Sequence, residues 1–253
     1  MHGQVTVDGR QLNTADRHGE WKVLNLEGWF DSPDRKQKSE ARPLADGDYE
    51  SPEFFDIRNI TIDGRLKAKS HEMVHEAEGW LKGMFLGSSA TMLVRDHGPD
   101  QWATVQLAGG IRCQVEPGTD NYLRWQIRLK AIDPYLYGEK RSFSGAVGTA
   151  FDVYQRGYRR AWPFITVTGS MPGGYEVMIG GKLIEVTRAL TSGNPHTIDT
   201  RTGILRVNGA VAVNGLGIAE LFRVDPGLPR SVYAVAKTTG TGTVRLDVTD
   251  TYI

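Results

Sequence analysis

The first residues to weigh for chemistry are His71-Glu72-Met73-Val74-His75, which match the H-E-x-x-H pattern. In a zinc protease, two histidines one helical turn apart bind the metal and the intervening glutamate activates water. The flanking residues argue against that role. Met73, Val74, Ala77, Trp80, Leu81, Met84 and Phe85 recur at helical spacing after Ser70, a good N-cap, which predicts a helix over about 70–86 ended by Gly87. Its apolar face centres on Met73, Ala77, Trp80 and Leu81. His71 and His75 fall about 120–160° from that centre, on the polar side. Glu76 follows at once, and no His-x-x-Gly-x-x-His extension is present. Exposed helix histidines are the expected reading.

Other catalytic patterns are absent. The sequence has no G-x-S-x-G elbow and no phosphate loop ending Gly-Lys-Ser/Thr. Gly180-Gly181-Lys182 sits between two short apolar runs and reads as a hairpin turn. Acidic residues are many, so a glycosidase dyad stays open at this point. Cys113 is the single cysteine, which excludes an intrachain disulfide and a multi-cysteine metal site; it reads as a small core residue. No catalytic, cofactor-binding or metal-ligating residue is assigned. The densest basic and aromatic cluster is Arg156, Arg159 and Arg160 with Tyr154, Tyr158 and Trp162. It reads as a linker packed between domains, with sugar or partner contact as the alternative. Arg124, Arg128 and Lys130 alternate with apolar residues and form a basic strand face.

These groups need elements to hold them. The 253 residues carry 30 Lys+Arg and 30 Asp+Glu, a formal net charge of zero that argues against a dedicated nucleic-acid binder. Thirty glycines and 11 prolines suit a turn-rich β protein. No stretch approaches the ~18 apolar residues of a membrane span, and the N-terminus lacks a signal-peptide pattern, so membrane insertion is not expected and synthesis in a cytoplasm is.

From Leu123 to Ala131 apolar and polar residues alternate, a half-buried strand that stops at Asp133-Pro134. It reads as the last strand of a first domain. Before it, strands are predicted around Val5/Val7, at 23–30, in a hairpin-rich region from Phe54 to Leu66 with Asp63-Gly64 as a turn, and at 91–94, 104–107 and 111–115. Residues 31–52 are charged and rich in Pro and Gly, which predicts a long exposed loop or an arm. Beyond Gly148 no helix is expected. Short strands at 165–169, 176–180, 183–187, 196–200, 204–207, 220–224, 232–236 and 244–248 have the spacing of an antiparallel sandwich. The predicted organisation is a β domain with one α-helix over 1–140, a linker over 141–161 and a β-sandwich over 162–253.

Several segments together resemble a known family. They are an Asp-Gly-Asp loop at 46–48, the strand Arg58-Asn-Ile-Thr-Ile-Asp-Gly64, the helix, and the closing Leu-Lys-Ala-Ile-Asp-Pro-Tyr-Leu-Tyr-Gly138. Trp162-Pro-Phe-Ile-Thr-Val-Thr-Gly169, His196-Thr-Ile-Asp-Thr200 with Leu205-Arg-Val-Asn-Gly209, and Phe222-Arg-Val-Asp-Pro-Gly227 followed by strands to Tyr252 continue the pattern. In order and spacing these are similar to the distal tail protein family of long-tailed bacteriophages. The resemblance implies a mainly β protein, with an N-terminal β domain carrying one helix and a C-terminal galectin-like antiparallel β-sandwich. It implies a virion protein without catalysis or cofactor, assembled as a homo-hexameric ring at the tail tip. Its partners would be the tail tube protein, the tail-tip hub and the receptor-binding proteins, with DNA only passing through the lumen. A competing expectation is a carbohydrate-binding module for host-surface recognition, with Tyr154, Tyr158, Trp162 and Tyr175 as the aromatics to inspect.

Overall fold

Alternating apolar residues drive most of this chain into strands, and the computed structural model shows where the alternation is kept and where it is broken. The structure describes residues 3–36, 46, 54–85, 87–96 and 98–253. Gly47 and Asp48 of the Asp-Gly-Asp loop, and most of the charged stretch at 31–52, lie outside the described residues. The chain divides into two compact units, the first running to Leu136 and the second from Tyr137 to Tyr252. Among the described residues no helix is long and apolar enough to cross a membrane.

The first unit contains β1 (Gln4–Val7), β2 (Arg10–Gln11), β3 (Gly19–Glu27), β4 (Arg35–Lys36), β5 (Phe54–Phe55), β6 (Arg58–Ala68), α1 (His71–Lys82), β7 (Ala90–Arg95), β8 (Gln101–Leu107), β9 (Arg112–Val115) and β10 (Tyr122–Ala131). Within the unit its described strands pair antiparallel: β3–β6, β6–β10, β10 with β8 and β9, β8–β7, β7–β1, β1–β2 and β4–β5. On β10 the predicted face is buried in full: Leu123, Trp125, Ile127, Leu129 and Ala131. Val74, Ala77 and Leu81 of α1 are buried too, and α1 packs on β6.

Three local expectations are corrected here. Asp63-Gly64 is no turn, because β6 runs through it and Gly64 pairs with Trp125 of β10. A Cβ on Gly64 would stand 2.0 Å from the Trp125 ring, so the glycine makes room for an indole rather than bending the chain. The helix ends at Lys82, with Gly83 as C-cap, although Met84 and Phe85 continue the apolar spacing. Arg10 donates to the carbonyls of Trp80 and Gly83, and the Phe85 N–H donates to Asp8 Oδ2 at 2.9 Å; these groups satisfy the last turn and draw the chain out of it. The buried face carries Val74, while Met73 is only half-buried.

The second unit contains β11 (Leu136–Ala146), β12 (Phe151–Val153), β13 (Phe164–Ser170), β14 (Tyr175–Ile179), β15 (Lys182–Val186), β16 (His196–Asp199), β17 (Ile204–Val207), β18 (Ala210–Val211), β19 (Leu216–Ala219), β20 (Arg230–Ala236) and β21 (Thr241–Tyr252), and no helix among its described residues. One layer has the strand order β18-β17-β16-β13-β21-β11 and the other β12-β20-β14-β15-β19. Ile165, Val167, Ile198, Val244 and Leu246 of the first meet Val177, Ile184, Val186, Val232 and Ala234 of the second in one core. This is an antiparallel β-sandwich, as expected from the strand spacing. Two details differ. Residues 220–224 form no strand; Val224 bridges to Ala161, and the Glu220 N–H donates to the Leu183 carbonyl of β15 at 2.9 Å. Residues 141–161, expected as linker, hold most of β11 and all of β12, which belong to the second unit. The small and polar residues among 142–149 masked a strand whose Phe143, with Val147 just beyond it, packs against the core.

Candidate functional site

The basic strand face develops into a surface once the register is known. Arg124 of β10 stands opposite Arg65 of β6, and Arg65 stands opposite Lys22 of β3. Three cations therefore line up across three adjacent strands. Like charges directly opposite destabilise a sheet by about 0.2–1 kcal/mol per pair. The row is partly relieved: Arg124 reaches Glu116 at 2.6 Å, Lys22 reaches Glu20 at 3.1 Å, and the Arg65 guanidinium lies 4.9 Å from the Tyr122 ring centroid. In the next row Gln126 Nε2 donates to Asp63 Oδ1 at 2.9 Å, beside Arg112. Arg128 and Lys130 continue the face opposite Thr61 and Asn59. Lys22, Arg65 and Arg112 were missed from sequence because they lie on other strands; only the pairing register joins them to Arg124.

One irregularity shapes the β3 edge of this surface. β3 carries a bulge between Val23 and Asn25, and Leu24 is 56% exposed. In a separate two-stranded sheet, β4 and β5 pair Arg35 with Phe55 and Lys36 with Phe54, and Lys36 Nζ lies 2.8 Å from Asp56 Oδ1. That ion pair, with the Ile57 N–H, holds the Asp56 carboxyl below its ordinary pKa.

His71 and His75 are exposed, with ring centroids 4.9 Å apart in an edge-to-face arrangement. His71 Nδ1 is 3.0 Å from the Asp120 carbonyl oxygen. Among the described residues no group of three or more His, Cys, Asp or Glu side chains is placed to hold a metal. Cys113 is half-buried on β9, and burial, helped by the charge of Glu78, pushes its thiol up to about 11, so it stays protonated at neutral pH.

The Arg156–Arg160 cluster is bound into the second unit. The Gln155 side chain accepts from the Gly157 N–H at 2.9 Å and the Thr251 N–H at 3.3 Å. Asp250 accepts from the Arg156 N–H at 2.7 Å, and the Tyr158 and Arg159 N–H groups donate to the Thr251 carbonyl. These bonds fix the loop against β21. Of the aromatics named above, Tyr175 is core, Tyr158 is 77% exposed and packs edge-on against Tyr252, and Trp162 is half-buried under the Arg223 guanidinium.

Compared with solved structures, the architecture has a match over its whole length. The crystal structure of the SPP1 Dit protein, described as a paradigm of the hub adsorption apparatus in phages infecting Gram-positive hosts, aligns with a TM-score of 0.77 over 99% of each chain, at 14% identity. The chain has the fold of that hub protein. A chain of the phage P2 baseplate in its activated, calcium-bound conformation aligns with a TM-score of 0.53 at 8% identity, over 97% of this chain and 98% of that one. No protein-family model matches the sequence, and no curated protein matches it.

Proposed function

We propose that this chain is a structural, non-catalytic component of a bacteriophage tail tip, which forms a homo-hexameric ring joining the tail tube to the tail-tip hub and receptor-binding proteins. DNA passes through the ring's lumen, and the protein resides in the virion after synthesis in the host cytoplasm. The observation that carries the reading is the full-length agreement with the SPP1 hub protein, covering both units in one alignment. The cationic row of Lys22, Arg65 and Arg124 supports it: a surface of like charges in register gains most when a second chain brings carboxylates to it. Closed cyclic symmetry lets one such surface be used six times with no open end.

Native mass spectrometry and negative-stain microscopy of the purified chain, alone and with the tail tube protein, test this. Six-fold rings are expected. A chain that stays monomeric with the tube protein present, and that is absent from purified virions, overturns the reading.

A further inference from the structure

At one end of the second unit a cavity of about 500 Å³ opens between three pieces of chain. The first is the tip of the β14–β15 hairpin, where Gly180 and Gly181 have φ of 56° and 79°, the pair of positive values a tight two-residue hairpin turn demands. The second is the pair of segments joined by the Ala161–Val224 bridge, and the third is the start of β20. The volume lies within the range of small-ligand sites.

Its charge is one-sided. Arg160, Lys182, Arg223 and Arg230 line the cavity against a single carboxylate, Asp225. Each cation has a partner within the cavity wall and keeps donors to spare. Asp225 accepts from Arg160 Nε at 2.8 Å and from an Arg230 terminal nitrogen at 2.9 Å, which leaves most of the five N–H groups of each guanidinium unused. Lys182 Nζ donates to the Leu221 carbonyl at 3.3 Å and has two further donors. Arg223 lies 4.2 Å from the Trp162 ring centroid, and no carboxylate pairs with it among the described residues. Orienting several guanidinium and ammonium groups before the ligand arrives removes much of the ordering cost of binding. Planar guanidinium forks match the oxygens of carboxylates and phosphates.

We propose that this cavity binds a saccharide bearing phosphate or carboxylate groups. The donors converge on a compact space, which suits one or a few oxyanions on a small scaffold rather than an extended acidic strand. One face of Trp162 is already covered by Arg223, so a nucleobase would have to displace the arginine to stack there. A hydroxyl-rich ring instead finds spare N–H donors around the whole rim. The site is complete within one chain, so it binds whether or not the chain forms a ring.

Calorimetry on the full chain at low salt tests this with four probes: trigalacturonate, glucose 6-phosphate, maltotriose and triglutamate. The two anionic sugars are expected to bind at least tenfold more tightly than maltotriose and triglutamate, and which of the two is preferred identifies the anion. Arg223→Gln and Lys182→Gln are each expected to weaken the preferred sugar about tenfold with unchanged melting temperature. Arg156→Gln, an equal charge change outside the cavity, is expected to leave affinity intact. Binding of triglutamate as tight as that of the sugars, equal loss in the Arg156 variant, or no binding of any anionic probe at millimolar concentration overturns the proposal.

Discussion

Arg58 Nε donates to the Pro134 carbonyl oxygen at 3.0 Å, tying the first residue of β6 to the proline that ends the β10 segment. The same guanidinium donates to the carbonyls of Gly28, Trp29 and Asp31, so one buried side chain satisfies four carbonyls from two loops. Burial lowers its pKa to about 10, against the pull of Asp31, and it stays cationic at neutral pH. Replacing it leaves buried acceptors without a donor, at about 1–3 kcal/mol for each that water does not reach. Arg58→Met is therefore expected to destabilise the first unit by roughly 3 kcal/mol or more. Urea unfolding followed by tryptophan fluorescence checks this; a loss below 1 kcal/mol would mean that the loops find other donors.

Gly64→Ala places a methyl group where the Trp125 ring stands. Overpacking of this kind is expected to cost about 1–3 kcal/mol. The double variant Gly64→Ala/Trp125→Leu is expected to lose less than the sum of the two single changes, because the smaller side chain removes the clash. Strict additivity in the denaturation midpoints would show that the two residues do not share the space.

His196 is fully buried, and its ring centroid lies 5.8 Å from that of Tyr175. Burial, reinforced by the charge of Arg188, lowers its pKa, with the Ala189 backbone acting the other way. The folded state thus holds the neutral ring, whereas the unfolded chain takes up a proton as pH falls below about 6.5. This contribution to stability is complete above that pH and is lost as pH drops toward the lowered folded value. The melting temperature of the second unit is expected to fall on acidification from pH 7.5 to 5, and less steeply in His196→Gln. Equal slopes in the two proteins would remove His196 as the cause.

Tyr175 Oη is buried with no hydrogen-bond partner among the described residues, and burial raises its pKa far above the ordinary phenol value. Tyr175→Phe removes an unsatisfied hydroxyl and keeps the ring. It is expected to be neutral or to stabilise by about 1 kcal/mol, as measured by thermal unfolding; a loss above 1 kcal/mol would reveal a bound water that the hydroxyl serves.

Arg65 sits between Lys22 and Arg124 in the cationic row. Arg65→Glu turns two like-charge pairs into opposite-charge ones and is expected to stabilise the isolated chain by about 0.5–1 kcal/mol. If the row meets a neighbouring subunit, the same change lowers the hexamer fraction in native mass spectrometry. Unchanged assembly would make the row plain solvated surface.

Strict alternation was legible wherever one face was buried, as on β10, because the side-chain period is two and burial enforces it. It failed where an unlike feature interrupted the period. The bulge at Leu24 puts two exposed residues in succession, and Gly64 looks like a turn until its partner strand is known. The helix end was overrun because the apolar spacing through Met84 and Phe85 carries no sign of Arg10, which binds the last carbonyls from more than sixty residues away. The cationic row and the basic cavity were legible only in part, as Arg124 of a basic strand face and as Arg160 and Trp162 of a basic and aromatic cluster. Each joins side chains from separate segments, and neither pairing register nor the fold of a loop onto β21 is a local property of sequence.

In the second unit, the first strand β11 and the last strand β21 are neighbours in one layer, and the Val147 N–H donates to the Gly242 carbonyl at 2.9 Å. The antiparallel pairing brings the unit's first residues beside its last. Such a unit is topologically close to a circle. It could be cut open at the Gly180-Gly181 turn and rejoined across Tyr137 and Tyr252 by a short linker while keeping the same sandwich, and by the same token it could be exchanged between proteins as a single cassette.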